Sequence, residues 1–326
     1  MSDSQISLSP RTRVSEVTTL TVRGEEWKQR VAYVVAVCPI KSGEVFVVFR
    51  TRSGEKGKGS GCAILSVSEG DAGLVCDWIE DCPVSDPANF EILCPDSMPQ
   101  AVRLEGGLIA VRDDRQLHLL TLDTREWETQ ELDFFDKAMC ADGDKLILMG
   151  RPHMTSFDDP HTAVRSYNVH TKARTDIPFL ADKRLLSDIR HHLVVHEGVI
   201  QCVTSELDRA EGTGWARSYS YVPRIRGRER TEDQGMWIQG PKGLVFPPRG
   251  VTSLGRHLVA WDETRMATWD TLTSTWEGLD ISMLGTDVPM AALARVDTDQ
   301  LLIVTEPGYR VDRQGKGAMY LVTLEF

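Results

Sequence analysis

The sequence has little positive charge, no long apolar run and no closely spaced cysteine pair. Its 37 Lys and Arg stand against 48 Asp and Glu, and the net charge of −11 argues against general binding to nucleic acid or an anionic membrane, which need a basic surface. No apolar run reaches the length of a membrane span, and the polar residues 1–11 do not resemble a secretory signal. Seven cysteines without a CxxC motif indicate reduced thiols in a cytosolic or nuclear protein. Cys76 and Cys82, the nearest pair along the chain, are interpreted as buried apolar residues.

The chain also lacks the motifs of the common catalytic sites. It contains no Gly-x-Ser-x-Gly elbow, no His-Glu-x-x-His, no sialidase-type Asp box and no dinucleotide fingerprint after a strand. The glycine-rich residues 54–60 do not form a P-loop, because the spacing to a Gly-Lys-Ser ending fails and no helix follows. From these absences we expect neither a cofactor nor a bound metal.

What the chain does contain is a repeated frame of eight residues. Each copy ends one strand with a bulky residue, turns through a segment that carries Thr, and opens a second strand with Trp or Arg. Such repeats determine the architecture before any single residue is interpreted. The copies lie at 120–127, 167–174 and 269–276.

A second repeated feature is a tight turn followed by an apolar strand. Gly and Asp supply the backbone conformations that tight hairpins require. The turns lie at 42–44, 106–107, 142–144, 197–198, 255–256 and 298–299. Together with the frame, they predict units of four antiparallel strands at a period of roughly 50 residues. In the third unit the strands are predicted at 137–140, 146–149, 163–169 and 174–179. Fourth strands are predicted to begin near Trp27, Trp78, Trp127, Arg174, Trp237 and Trp276.

The two ends of the chain predict how the units assemble. The last unit ends after its third strand at 319–324, whereas the strand at 18–27 has no unit before it. Placing the N-terminal strand beside the last unit completes four strands there and leaves no open sheet edge. The sequence therefore predicts an all-β fold: a six-bladed β-propeller with four-stranded antiparallel blades. Residues 15–326 are predicted to form this single domain, after a disordered tail at 1–14.

The copies at 120–127 and 269–276 resemble kelch repeats, in which an aromatic strand, a turn and a tryptophan recur. Kelch repeats carry a Gly-Gly doublet at the end of the second strand, whereas here Gly106 and Gly107 precede that strand. The chain is thus similar to a divergent kelch propeller. The resemblance implies an interaction module more often than an enzyme.

In such a propeller, the loops from second to third strands (B–C loops) and the connections to the next blade emerge on one face. The longest B–C loops are predicted at 51–61, 151–162, 205–214 and 306–317, and long loops on a rigid scaffold commonly carry function. Blades six and one are neighbours, so their loops bring together Lys56, Lys58, Tyr309, Arg310 and Arg313. This group is a candidate site for an acidic peptide or a phosphate, with solvated loops as the alternative.

Further candidates on this face are Arg151, His153, Asp158, His161, Trp215 and Arg249. The two histidines and the aspartate carry metal-ligand chemistry, although their spacing fits no standard motif. The two arginines are expected near the channel mouth, where a guanidinium binds carboxylates, and the tryptophan is a candidate contact for a partner. Solvated loops and pairing between blades are the alternatives. The remaining tryptophans of the frame and its variant, Trp127, Trp237 and Trp276, are predicted to pack between blades.

His191 and His192 are predicted to precede the first strand of blade four. The spacing Arg184-x3-Asp188-x3-His192 is similar to the iron motif of plant specifier proteins, which are kelch propellers. Arg184 stands where that motif has Glu, so a cation replaces one ligand. A surface turn is the alternative, and no metal site is predicted.

The leading functional hypothesis is a non-enzymatic scaffold that binds a protein partner with the B–C loop face. The alternative is an enzyme or small-molecule binder that uses the channel mouth, with Arg151, His191, His192 and Arg249 as candidates. The opposite face is predicted to carry residues 224–233, whose four arginines could contact an acidic partner or form a solvated, charge-balanced loop.

Overall fold

The computed structural model describes residues 12–52, 59–67, 73–85, 100–113, 116–132, 134–152, 163–177, 190–196, 199–207, 214–220, 236–239, 250–261, 265–270, 275–284, 290–305 and 318–326. Within these ranges the fold is all-β. It comprises 24 strands, one six-residue α-helix and single 3₁₀ turns at Glu105–Gly107 and Ser282–Leu284.

Hydrogen bonds link the 24 described strands into four antiparallel sheets of four strands and one sheet of eight. We divide the eight-stranded sheet into its two antiparallel parts and name the resulting six groups sheets I to VI in chain order. Sheet I contains β2 (Val31–Lys41), β3 (Glu44–Thr51), β4 (Ser60–Val67) and β5 (Gly73–Ile79). Sheet II contains β6 (Gln100–Leu104), β7 (Leu108–Asp113), β8 (Gln116–Thr121) and β9 (Trp127–Glu131). Sheet III contains β10 (Phe134–Asp142), β11 (Lys145–Pro152), β12 (Ala163–Asn168) and β13 (Arg174–Ile177). Sheet IV contains β14 (Arg190–His196), β15 (Val199–Leu207), β16 (Gly214–Ser220) and β17 (Met236–Gln239). Sheet V contains β18 (Gly250–Leu254), β19 (His257–Trp261), β20 (Met266–Asp270) and β21 (Thr275–Leu279), and sheet VI contains β22 (Met290–Arg295), β23 (Gln300–Thr305) and β24 (Met319–Glu325).

Sheet VI takes its fourth strand from the beginning of the chain. The strand β1 (Arg13–Val22) runs antiparallel to β24, with Thr18 opposite Leu321 and Leu20 opposite Met319, which is the pairing that the sequence predicts. The end of β1 also pairs in parallel with β5 over two residues, so hydrogen bonds join sheets I and VI. The strand starts at Arg13, inside the segment 1–14 predicted to be a tail.

The first strands of the sheets lie against one another. In chain order β2, β6, β10, β14, β18 and β22 each contact the next, and β22 contacts β2. Side chains alternate along the second strands, so neighbouring residues pack into different layers. Phe46 shares a layer with Ile109 of sheet II, whereas Val47 shares a layer with Val304 of sheet VI. The core therefore consists of apolar layers between adjacent sheets.

Sheet III shows how closely the repeat predicts strands. Each of its four strands overlaps the predicted one, and the boundaries differ by at most three residues. The tight turn marks the start of the second strand, and the frame marks the turn between the third and fourth strands. Both features depend on short-range chemistry that the sequence shows directly.

The predicted fourth-strand starts near Trp27 and Trp78 are wrong. β1 ends at Val22, Gly24 has a φ of 96°, and the helix α1 (Glu25–Arg30) follows. Trp27 lies in this helix and stacks on Trp78, with ring centroids 5.8 Å apart. Two acidic residues in the first turn and two basic residues in the last complement the helix dipole and favour the helix over an extended chain. Trp78 lies near the end of β5, which begins at Gly73.

Two copies of the repeated frame form turns with the same hydrogen bonds. In sheet II, the Thr121 N–H donates to the Glu126 carbonyl at 3.0 Å, and the Arg125 N–H donates to the Thr121 carbonyl at 2.9 Å. In sheet III, the equivalent bonds join Asn168 to Ala173 at 3.0 Å and Lys172 to Asn168 at 2.8 Å. The frame is therefore a structural repeat as well as a sequence repeat.

Trp127, at the end of the frame in sheet II, packs against sheet I. Its ring centroid lies 6.5 Å from that of Phe46, at an angle of 60°. The predicted packing of Trp127 between sheets is confirmed. Trp237 and Trp276 lie in β17 and β21, and the predicted packing of their side chains lies outside what the structure describes.

Candidate functional site

The candidate site is the end of the sheets at which second strands finish and third strands begin, named here the B–C face. The predicted long loops fall between Thr51 and Ser60, Pro152 and Ala163, Leu207 and Gly214, and Thr305 and Met319. Residues 53–58, 153–162, 208–213 and 306–317 of these loops lie outside the described residues.

Many of the predicted site residues lie in those segments or in other parts of the chain outside the described residues. Outside the described residues lie Lys56, Lys58, His153, Asp158, His161, Arg249, Tyr309, Arg310 and Arg313. The same holds for Arg184, Asp188 and the arginines of residues 224–233. Their assigned roles stay predictions.

Four candidates lie in strands, and for three of them the predicted position is wrong. His191 and His192 belong to the first strand of sheet IV, opposite Thr204 and Val203, and do not precede that strand. Trp215 belongs to β16, opposite Glu206, and not to a loop. In both places the ladder extends because backbone pairing does not require apolar side chains. Arg151 lies next to the end of β11.

The base of the B–C loop of sheet I is held by backbone hydrogen bonds. The Thr51 N–H donates to the Gly59 carbonyl at 3.1 Å, and the Arg52 N–H donates to the Arg30 carbonyl at 2.9 Å. The Arg52 Nε donates to the Val31 carbonyl at 2.9 Å. These contacts bring the end of α1 and the start of β2 to the base of the loop.

Three described arginines lie at this base: Arg30, Arg50 and Arg52. The guanidinium of Arg50 donates to the Tyr33 hydroxyl at 3.2 Å, and its Cζ lies 5.8 Å from the centroid of the Tyr33 ring. The Cζ of Arg30 lies 4.7 Å from the centroid of Trp78, a cation–π arrangement. Arg30 is also ion-paired with Glu26 at 3.0 Å, so Arg50 and Arg52 contribute most of the positive charge at this base.

The base of the B–C loop of sheet VI is clamped by one threonine. The Thr305 N–H donates to the Ala318 carbonyl at 2.9 Å, and the Ala318 N–H donates to Oγ1 of Thr305 at 2.9 Å. Val304 and Met319, which flank this clamp, belong to the same apolar layer as Phe49 of sheet I. The two loop bases therefore lie at one boundary between sheets.

Close packing at this boundary depends on a glycine. A Cβ added to Gly61 would lie 2.5 Å from Cε2 and Cζ of Phe49. Phe49 is buried and meets Trp27 and Trp78 at centroid distances of 5.9 Å and 5.7 Å. Because Gly61 has no side chain, the Phe49 ring can pack directly on the backbone of β4.

Between sheets I and II, the B–C face contains a buried polar network. The Ser60 hydroxyl donates to the Ser85 carbonyl at 2.9 Å, and the Ser85 N–H donates to Oδ2 of Asp113 at 2.6 Å. Nε2 of His118 lies 3.1 Å from the same oxygen, and Nδ1 of His118 lies 2.9 Å from Oγ1 of Thr129. Asp113 and His118 are 3% and 1% exposed, so the network anchors the connection between the sheets.

Burial by itself would raise the pKa of Asp113. The close contact with His118 and the hydrogen bond from the Ser85 N–H outweigh burial, and the pKa of Asp113 lies below its ordinary value. Asp113 is therefore an anion at neutral pH. No site is predicted here from the sequence, although a histidine inside the apolar strand 117–120 is a recognisable signal.

The opposite end of the sheets contains two further buried histidines. Nδ1 of His196 lies 2.7 Å from the Ser253 hydroxyl, and Nε2 lies 3.0 Å from the Arg256 carbonyl. The ring of His257 stacks on Phe326 at 4.2 Å. These contacts tie neighbouring sheets together across the short turns.

In the part of the chain that the structure describes, no three His, Cys, Asp or Glu side chains are grouped so as to hold a metal ion. Among the same residues, no helix has the length and apolar character to cross a membrane.

No family model matches the chain. No curated protein sequence matches it significantly. Similarity appears with solved structures. A protein of unknown function from Dyadobacter fermentans DSM 18053 aligns with a TM-score of 0.58 and 13% identity, over 98% of this chain and 100% of that one.

Two of the similar structures are enzymes. The α-L-arabinofuranosidase Arb93A from Fusarium graminearum aligns with a TM-score of 0.54 and 12% identity, over 94% of this chain and 97% of that one. The PQQ-bound aldose sugar dehydrogenase from Streptomyces coelicolor aligns with a TM-score of 0.52 and 10% identity, over 97% and 98%. Both are β-propeller-like proteins. At these identities the similarity concerns the fold, and the chain has an all-β, propeller-like architecture.

Proposed function

We propose that the chain is a six-bladed, kelch-like β-propeller closed by its N-terminal strand, and that it is a non-enzymatic scaffold which binds an acidic partner protein. Two features support the ring, and a third supports a repeat. Each of the sheets I to VI has four strands once β1 joins β24. The first strands contact one another in succession, and β22 contacts β2. The shared turn hydrogen bonds of the frame support descent from a repeat.

One observation carries the binding proposal: the bases of two basic loops lie at the same boundary between sheets. Phe49, next to the loop of sheet I, shares an apolar layer with Val304 and Met319, which flank the loop of sheet VI. Arg50 and Arg52 add positive charge at this base, whereas the charge of Arg30 is offset by Glu26. On a chain with a net charge of −11, a local basic surface selects an acidic segment and raises its association rate.

The loop sequences supply further cations to this surface. Lys56 and Lys58 follow Arg52, and Arg310 and Arg313 follow Thr305. An interface with this chemistry depends on ionic strength, because salt screens exposed charges over about 8 Å at physiological strength.

The experiment compares two quadruple alanine variants. The first replaces Lys56, Lys58, Arg310 and Arg313, and the matched control replaces Arg224, Arg226, Arg228 and Arg230 of the 224–233 segment. Both remove four positive charges, but the control segment connects β16 to β17 and so lies at the opposite end of the sheets. A partner is captured with the wild-type chain, identified by mass spectrometry and purified, and its Kd is measured at two salt concentrations.

The loop variant is expected to bind the partner at least about tenfold more weakly, with a smaller dependence on salt. The control variant is expected to bind like the wild type. Equal affinity of the loop variant and the wild type overturns the proposed surface, as does a loss of binding confined to the control.

A small-molecule site at the channel mouth is the second candidate. The observation in its favour is that His191 and His192 lie in β14, one of the mutually contacting first strands, near its B–C end. Native mass spectrometry of the purified chain is the test. A stoichiometric bound metabolite that the His192→Ala variant no longer retains would favour this function over the scaffold.

A further inference from the structure

Two cysteine thiols meet at the boundary between sheets I and II. Cys62 lies in β4, and Cys82 lies in the connection from β5 to β6. Both pack into the apolar cluster between these sheets, and Cys62 lies opposite Ile79, three residues before Cys82, in the ladder of β4 and β5. Cys76, the cysteine nearest to Cys82 along the chain, packs instead into the layer between sheets I and VI. From the sequence, Cys76 and Cys82 are the nearest pair along the chain and are interpreted as buried apolar residues, and the proximity of Cys82 to Cys62 is created by the fold.

The two thiols differ in their access to solvent. Cys62 is 1% exposed, whereas Cys82 is half-buried. Burial, with a smaller contribution from Cys82, raises the pKa of the Cys62 thiol well above its ordinary value. A small oxidant from solvent therefore meets Cys82 first, while Cys62 stays protonated behind it.

The connection around Cys82 is held at several points. Asp81 has a left-handed φ of 56°, and Val84 is buried in the layer between sheets I and II. Ser85 is bound from one side by Ser60 and from the other by Asp113. These anchors hold the connection beside the start of β4. A disulfide bond of about 2.05 Å would join two thiols that pack in the same cluster.

We propose that Cys62 and Cys82 are a reversible oxidation site, at which a hydroperoxide converts the two thiols to a disulfide and a thiol reductant restores them. With hydrogen peroxide, the Cys82 sulfur attacks one peroxide oxygen, the O–O bond breaks, and a sulfenic acid and one water form. The Cys62 sulfur then attacks the sulfenic sulfur, the S–O bond breaks, and the hydroxyl leaves with the Cys62 proton as a second water. The two sulfurs lose two electrons, and the peroxide gains them.

The disulfide would join β4 to the connection that crosses to sheet II. This connection lies on the B–C face and carries Ser85 of the buried network. Oxidation therefore fixes covalently a segment that hydrogen bonds hold in the reduced protein. The reduced and oxidised chains differ in this one link.

The test maps thiols in the full-length chain after treatment with equimolar hydrogen peroxide and alkylation. Trypsin leaves Cys62, Cys76 and Cys82 in one peptide, whereas cleavage after Glu69 and Glu80 places them in three. The expected result is a cross-linked pair of the Cys62 and Cys82 peptides, with loss of two of the seven thiols. The Cys76→Ser variant is the matched control and is expected to give the same cross-link.

A second variant separates the two steps. In Cys62→Ala the sulfenic acid of Cys82 has no thiol to attack it, so labelling of Cys82 by dimedone is expected to rise at least about fivefold over the wild type. Circular dichroism checks that the variant folds, and the wild-type peptide map decides alone where it does not. The proposal is overturned by a cross-link from Cys82 to another cysteine, by equal dimedone labelling of both proteins, or by an unoxidised Cys82.

Discussion

Arg125 and Lys172 share the same left-handed backbone conformation, with φ angles of 61° and 58°, at the sixth position of two repeated frames. Each also reaches a carboxylate on the fourth strand of the preceding sheet. Arg125 pairs with Asp77 of β5, and Lys172 pairs with Glu128 of β9 at 3.4 Å. The repeat therefore encodes a strained turn position together with a contact between sheets.

The first prediction concerns this turn position. Lys172→Gly is expected to leave the free energy of unfolding unchanged or to raise it by up to about 1 kcal/mol, because glycine adopts a positive φ without a steric penalty. Lys172→Val is expected to lower it by about 1–2 kcal/mol, since a Cβ-branched residue is disfavoured there. Both variants lose the ion pair between Lys172 and Glu128. Because both side chains of this pair are exposed, the pair contributes less than about 1 kcal/mol. Urea denaturation measures the difference, and equal stability of the two variants would contradict the assigned strain.

The second prediction concerns Gly61. Gly61→Ala is expected to lower the free energy of unfolding by about 1–3 kcal/mol, because the new methyl group meets the buried Phe49 ring and forces it to move. Gly278→Ala is the control, since a Cβ at this strand position has no atom within 4 Å. Denaturation of both variants decides the matter. A cost at Gly278 as large as that at Gly61 would show that backbone entropy, and not the ring, is responsible.

The third prediction tests the role of β1. Deletion of residues 1–22 removes the strand that pairs with β24 and takes Leu20 and Val22 out of the layer between sheets I and VI. The Tm is expected to fall by at least about 10 °C, or cooperative unfolding to be lost. Deletion of residues 1–11, which leaves β1 intact, is expected to preserve the Tm. A chain lacking residues 1–22 that melts like the wild type would refute the proposed ring closure.

The fourth prediction concerns Asp113. Because its pKa in the folded protein lies below the ordinary value of 3.8, the ionised carboxylate stabilises the fold above that pH. This stabilisation is lost as the pH falls through the folded pKa. Asp113→Asn keeps an acceptor for the Ser85 N–H but loses the charge beside His118.

At pH 7 the Asp113→Asn variant is expected to be less stable than the wild type by about 1–3 kcal/mol. The difference is expected to shrink as the pH is lowered below about 4, where the unfolded carboxylate takes up its proton. Denaturant titrations at several pH values measure it, with Glu80→Gln, at an exposed position, as the matched control. A difference that stays constant down to pH 3 would rule out the carboxylate charge as its source.

The strand pattern was predictable because its signals are local. Tight turns at Gly43 and Gly143 both have positive φ angles, and only a few residue types favour such turns. The apolar strands that follow alternate between two layers, so their composition is distinctive. The frame at 120–127 predicted both the hairpin and the packing of Trp127. The turns and hairpins depend on residues that are close together in the chain, and the packing of Trp127 follows from the preference of tryptophan for a packed environment.

Other features depend on which segments the fold brings together. Trp27 is predicted in a strand because tryptophan marks the frame elsewhere, whereas it lies in a helix and its partly buried ring packs against Trp78 and Phe49. The contact of Cys62 with Cys82 arises from the path of one connection over β4. His191 and His192 lie inside β14, because this strand begins at Arg190, and such polar residues do not mark the start of a strand. In each case the deciding contact is tertiary, and no short-range pattern reports it.

The pairing of Arg13 with Glu325 joins residues 312 positions apart. During synthesis β1 leaves the ribosome long before β24, so sheet VI can acquire its fourth strand only after β24 has been made. Until then β1 has no antiparallel partner. Pairing β1 with β24 closes the chain between them as one long loop, and the entropic cost of closure grows with the length of that loop. Protection of β24 backbone amides therefore reports the completion of folding, later than protection of the consecutive hairpins in sheets II and III.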